Sequence, residues 1–479
     1  MTAPATRVAV GIVALPLLSG DVRAHALAQR YDLPLPLGFF LVTAGAAVAV
    51  SFVILAIFWR HDSERREGAE SLSLKAAIPS VIVACCQTFG ASILALIVYA
   101  GLFGNQSTFK NIAPVAVWVV WWVGFSFLCA FVGNVWGLIN PWAAVFALAE
   151  RLARPWAKEL SLRLPYPRWL GAWPACALFL LFAWVELVAP GRDVPRNIAI
   201  AITIYSVMTW AGFVAFGREV WLRQAEVFSV LFDLLGRFAP LQFSRDSRWY
   251  CSLRPFAAGL LTRTPLEPSM TAFALLMLGT VTVDGFMETP PWAALVEALI
   301  GQSGPGIAPL AYMLLQSALL VAGPLLIAAL YLAVVAMMLR IERSRMADLS
   351  GLFVLSFIPI AIAYHLAHYF TLLAIAGQFM IPLISDPFGY GWDLFGTTLY
   401  RIDIGLVDAR FIWYLSVTAI VTGHILAVWI GHVTAYNVFR NAKAARRSQY
   451  PMLVLMVGYT MLSLWILAQP IVEAAVSKS

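Results

Sequence analysis

Charge is what this sequence has least of. Only 12% of its 479 residues are Asp, Glu, Lys or Arg, and 61% are hydrophobic, where an ordinary soluble domain carries about 25% charged residues. A water-soluble fold is excluded. Strand-like alternation is missing too, for instance from the run 37–59, and this excludes a membrane barrel, whose segments alternate over about ten residues. Cysteine is scarce and badly placed for cross-links: Cys85, Cys86, Cys129 and Cys176 fall in apolar runs and Cys251 in a polar loop, so no disulfide framework is implied. No internal repeat is visible, which disfavours transporter folds built from inverted halves. Neither a nucleophile elbow nor a soluble-hydrolase metal motif occurs.

What remains is a set of long apolar runs, near 37–59, 76–102, 113–134, 169–189, 196–216, 269–289, 307–339, 350–380, 411–436 and 451–475. Each matches or exceeds the roughly 20 residues a helix needs to cross the hydrocarbon layer. The fold class expected is all-α, a polytopic bundle of about ten transmembrane helices. Residues 1–26 read as a cleavable signal, with Arg7, a short apolar stretch and the small-x-small Ala24-His25-Ala26. Cleavage after Ala24 would leave His25 as the first residue, a copper-chelating arrangement. Residues 27–479 then form one transmembrane domain.

The net charge of +7 does not call for nucleic acid. Most of the 32 basic residues sit in alternate short loops, as the positive-inside rule requires of a bacterial inner-membrane protein with its mature N-terminus outside. On that orientation 217–268 is cytoplasmic, with an amphipathic stretch from Glu219 to Phe238 lying on the inner surface. The segment from Asn134 to Leu152, interrupted by Gly137 and Pro141, reads as re-entrant or interfacial. Residues 384–410 form the longest outer loop, with four aspartates and turn-forming Pro387, Gly389 and Gly391.

An ionisable side chain inside a bilayer costs about 2.5–3.5 kcal/mol on insertion scales, so each is a functional candidate. Glu186, Asp284, Glu288, His365, His368 and His424 all fall between mid-bilayer and the outer face, whereas His432 lies nearer the inner face. His365 and His368, three apart, share a helix face beside Tyr364 and Tyr369. His424 lies at similar depth on the following antiparallel span. Three imidazoles within reach suit a divalent transition metal such as zinc, manganese or copper, or a proton-handling site. Taken singly, each histidine is equally compatible with a hydrogen-bonded place in a packed bundle. Asp386, Asp393, Asp403 or Asp408 could supply a carboxylate if the loop folds inward. Asp284 and Glu288, four apart, cannot both be ionised cheaply unless a cation sits between them, although Glu288 next to Pro290 already approaches the interface. Within-helix histidine spacings of three and eight residues exclude a two-haem wire, while a single haem between His365 and His424 stays open.

Four segments carry a family likeness: AHALAQRYDLPL from Ala24 to Leu35, VAVSFVILAIFW in the first span, NVWGLINPW from Asn134 to Trp142, and SDPFGYGWDLFG from Ser385 to Gly396. They resemble polytopic bacterial membrane proteins described as fenitrothion hydrolases. The resemblance implies hydrolysis of an apolar organophosphorus triester that partitions into the bilayer. His365, His368 and His424 would hold a metal that activates water, with Asp386, Asp393 or Asp408 as ligand or base. Two other classes are open on the residues: a copper, iron or single-haem oxidoreductase, and a transporter of metal ions or small organic molecules. The oligomeric state is not legible.

Overall fold

A computed structural model describes residues 35–58, 75–157, 159–301, 308–341, 345–439 and 441–473. The signal segment and His25 lie outside the described residues. In a bilayer the backbone must satisfy its own hydrogen bonds, and helices do so within one segment. Nine helices among the described residues are long and apolar enough to cross: α1 Leu37–Phe58, α2 Ser80–Phe103, α3 Ile112–Phe131, and, further along, Pro195–Phe216, Pro268–Met287, Ala308–Leu339, Met346–Ser385, Ala409–Val438 and Ala442–Glu473. The chain is a multi-pass membrane protein. The tenth apolar run, 169–189, folds as Trp173–Leu187, 15 residues and so about 22 Å long, short of the hydrocarbon thickness.

Between α3 and the span Pro195–Phe216 the chain breaks into α4 Trp136–Ile139, α5 Pro141–Ala153 and α6 Trp173–Leu187. The break at Asn140 has a local cause. The Asn140 side chain accepts from Ala143 N (3.0 Å) and Pro141 follows at the first helical position, an N-cap and first-turn proline that start a new helix. After α7 Pro195–Phe216 come α8 Arg218–Gln224 and α9 Val227–Gly236. Here the structure corrects the sequence reading. The second half of the stretch expected to lie on a membrane surface enters the core: Val227, Phe228, Val230, Leu231, Phe232, Leu234 and Leu235 are all buried, while α8 buries none of its residues. Most of the surface of α9 is apolar and buried, as in a core helix rather than an interfacial one, with Asp233 its one charged residue, exposed and paired with Arg237.

A small antiparallel sheet, β1 Lys75–Ala77, β2 Leu241–Arg245 and β3 Trp249–Leu253, in the order β1-β3-β2, covers one end of the bundle. The 384–410 loop covers the other end, bonding Asn105 N to Phe388 O (2.8 Å) and the Tyr390 hydroxyl to Phe103 O (3.0 Å). The remaining helices are α10 Pro268–Met287, α11 Pro290–Ile300, α12 Ala308–Leu339, α13 Met346–Ser385, α14 Ala409–Val438 and α15 Ala442–Glu473. In α13 tightened turns at Val354–Phe357 and Gly377–Phe379 interrupt the α-helical path. The core lies on α10 and α13, whose apolar windows are 67% and 83% buried, against 22% and 17% for α1 and α2. Gly423 sets the distance between α13 and α14, since a Cβ there would meet Ala363 Cβ at 2.6 Å.

Candidate functional site

The intramembrane carboxylates and histidines of α6, α10 and α13 meet at one place. Asp284 on α10 accepts two hydrogen bonds at the same oxygen, from His368 Nε2 (2.7 Å) and from the Tyr369 hydroxyl (2.6 Å). The Tyr369 hydroxyl is also 3.5 Å from Glu186 Oε1 on α6. A tyrosine hydroxyl has one proton to give. With that proton on Asp284, the oxygen of Tyr369 is left to accept from Glu186, and the groups line up as Glu186, Tyr369, Asp284, His368. The pair is interior: the His368 side chain is 1% exposed and that of Asp284 15%.

A cavity of about 40 Å³ opens beside this chain, lined by Glu186, His365, Tyr369, Trp122, Ser126 and Thr280 among largely apolar neighbours. That is room for roughly two or three waters. His365 Nε2 is buried there with no hydrogen-bond partner, its ring edge-on to Trp122 (5.6 Å) and Phe127 (5.3 Å). The Trp122 indole N–H lies near both Glu186 and Tyr369 but falls short of a hydrogen bond. Trp122 is carried on an eleven-residue π-helix, Val115–Phe125, a wide winding that is rare and concentrated at functional sites. Arg192 closes the end of α6 by donating to the Glu186 carbonyl (2.7 Å).

Other expected site residues are placed elsewhere. His424 is buried on α14, donating from Nδ1 to Ile420 O (2.8 Å) with its ring against Tyr459 (5.9 Å). Among the described residues no three His, Cys, Asp or Glu side chains come together to hold a metal ion. The trio of His365, His368 and His424 therefore does not form a ligand set: His368 is spent on Asp284, His365 faces the cavity, and His424 faces α15. The aspartates of the 384–410 loop do not fold inward. Asp386 accepts from Tyr390 N and Gly391 N (2.9 and 2.7 Å), Asp393 from Thr398 N (3.2 Å), Asp403 from Gly405 N (2.9 Å), and Asp408 caps α14 by accepting from Phe411 N (2.6 Å). Short aspartate side chains close turns and caps in this way, and none of the four lines the cavity. Glu288 caps the end of α10 and borders a separate hollow with Thr289, Pro290 and Glu297. His432 donates to Gln449 Oε1 (2.9 Å), tying α14 to α15.

One buried carboxylate escaped the sequence reading altogether. Glu226 is fully buried and accepts from Tyr205 OH (2.6 Å), Phe228 N (3.1 Å), Ser229 N (2.8 Å), the Ser229 hydroxyl, Trp136 Nε1 (3.2 Å) and Asn140 Nδ2 (3.2 Å). It joins the break before α5 to the start of α9. Leu231 and Leu235 of α9 line the cavity. The sequence signal was obscured because Glu226 stands between charged α8 and apolar α9.

No protein-family model matches the chain, and no curated protein or solved structure matches it either. The likeness to fenitrothion hydrolases thus rests on its four segments, of which NVWGLINPW is the helix break at Asn140 and SDPFGYGWDLFG the turn-rich start of the 384–410 loop.

Proposed function

We propose that this protein handles protons within the membrane, and that it couples protonation of the relay Glu186, Tyr369, Asp284 and His368 to the passage of protons, alone or with a small solute, across the bilayer. The observation that carries this reading is the double hydrogen bond at Asp284, extended through one hydroxyl to a second carboxylate. Chains of Asp, Glu and His inside a bundle are the usual parts of proton relays in pumps and transporters. Two carboxylates sharing one hydroxyl are best satisfied by a single proton between them. Moving that proton changes which oxygen Tyr369 serves, so the state of the site is transmitted directly to α6 and α10. The unpartnered His365 Nε2 at the cavity gives the relay an acceptor on the side where water fits.

Hydrolysis, which the resemblance implies, is the second reading. The cavity could hold an attacking water beside Glu186, but about 40 Å³ is far below the roughly 300 Å³ at which ligand pockets begin, so an aryl triester would require α9 to move aside. Purified protein in vesicles loaded with a pH-sensitive dye decides between the two. Under an imposed potential, wild-type vesicles should acidify or alkalinise faster than protein-free ones, and Asp284→Asn and Tyr369→Phe should remove the difference. Flux equal to that of empty vesicles, with nitrophenol released from fenitrothion, would reverse the order of the readings.

A further inference from the structure

His424 takes no part in the relay, yet it stands in a second polar cluster that touches it. Its Nδ1–H donates to Ile420 O, which fixes the tautomer and leaves Nε2 a buried acceptor with no partner. Against its ring lies Tyr459, whose hydroxyl is hydrogen-bonded to Thr282 of α10. Ser463, one turn further along α15, places its hydroxyl near Tyr459 with no hydrogen bond made. From α13 comes Tyr364, fully buried with an unpartnered hydroxyl. That hydroxyl presses on Gly285, where a Cβ would come within 2.5 Å, and Tyr364 is close enough to both Tyr459 and Asp284 to interact with them electrostatically. Four helices thus turn polar atoms toward one junction. Tyr364 is one helical turn from His368, and Thr282 is two residues from Asp284, so the junction adjoins the relay on both of the helices that build it.

Buried polar atoms almost always find a partner, and bound water supplies it where protein does not. A water needs two to four polar neighbours. Here a lone-pair acceptor and three hydroxyls, each able to donate and accept, provide them. We infer that bound water joins Tyr364, Tyr459, Ser463 and His424 into a second leg of the relay, carrying protons between Asp284 and the α14–α15 side of the bundle. This leg rests on the proton-handling reading; the hydrated junction by itself does not.

The distinction from ordinary packing is measurable. Where a buried hydroxyl has no partner at all, removing it is neutral or stabilising. Tyr364→Phe would then melt at the same temperature or higher, with proton flux unchanged. A water-bridged hydroxyl behaves in the opposite way: Tyr364→Phe should lower the melting temperature in detergent by a few degrees and cut proton flux in dye-loaded vesicles severalfold. His424→Leu should cut flux likewise, and His424→Gln, which keeps a polar side chain at that place, should restore part of it. Unchanged flux in both Tyr364→Phe and His424→Leu, with wild-type flux present and lost in Asp284→Asn, overturns the second leg while the relay stands. Absence of flux in the wild type removes the relay and the second leg together.

Discussion

Asp284 decides the energetics of the site because two donors converge on one of its oxygens. Replacing it by Ala leaves the His368 N–H and the Tyr369 hydroxyl without their acceptor, and orphaned buried donors cost about 1–3 kcal/mol each. Asp284→Ala should therefore lose roughly 2–6 kcal/mol of stability, whereas Tyr369→Phe, which removes donor and hydroxyl together, should lose less; thermal unfolding in detergent measures both. The aspartates of the 384–410 loop make the contrasting case. Asp408→Ala removes a helix cap worth about 1 kcal/mol and should leave proton flux at the wild-type level, and a collapse of flux in that variant would return the loop to the site. Residue type and depth made Glu186, Asp284, His365 and His368 legible in the sequence. Their partners were not, since the sequence offers no way to tell that Asp284 faces α13 or that His424 looks away toward Tyr459.

The same division holds for the elements. Long apolar runs with short charged connections marked the spans, because burial in lipid leaves the backbone little choice but a helix. The discontinuities were only half visible. Gly137 and Pro141 announced the break before α5, but nothing local showed that Glu226, from the far side of α7, would receive the Trp136 and Asn140 side chains there. The eleven-residue π-winding of α3 left no mark either, since VAVWVVWWVGF is as apolar as any α-helical span. Close approach at the break is set by Gly90 of α2, where a Cβ would lie 2.0 Å from the Ile139 carbonyl oxygen. Gly90→Ala must push α2 away from α4, and with it the broken segment that Glu226 anchors. Glu226→Ala removes the acceptor of six hydrogen bonds, and a buried donor left without its partner costs about 1–3 kcal/mol. Both variants should unfold at lower temperature and accumulate poorly in membranes, with Glu226→Ala the more severe; an unaltered melting point in Glu226→Ala would mean that the hub does not hold the two breaks together.

At the scale of the whole molecule, the ends of the bundle are chemically unlike. The sheet end gathers Lys75, Arg218, Arg237, Arg245, Arg248 and Arg254, several of them already engaged: Arg218 with Glu150 (3.6 Å), Arg237 with Asp233 (3.3 Å), and Arg254 with the carbonyls of Gly236 and Ala239. Burial at this end lowers the affinity of Arg218 and Arg254 for their protons, yet guanidinium groups start so high that both stay charged. The loop end carries four aspartates bound to their own turns and exposed apolar side chains such as Phe395 and Leu399. Fixed positive charge resists translocation, and the positive-inside rule therefore predicts the sheet end in the cytoplasm and the loop outside. On that orientation Glu186 and Asp284, near the C-terminal ends of α6 and α10, would lie in the outer half of the bilayer, and a relay there would meet protons from outside first. Cys251, partly exposed in β3, reports the orientation directly once the other four cysteines are replaced. A membrane-impermeant maleimide should reach it only in opened cells, and should label Thr398→Cys in intact ones. Labelling of Cys251 in intact cells would invert the molecule and make Glu186 and Asp284 the inner end of the proton path instead of its entrance.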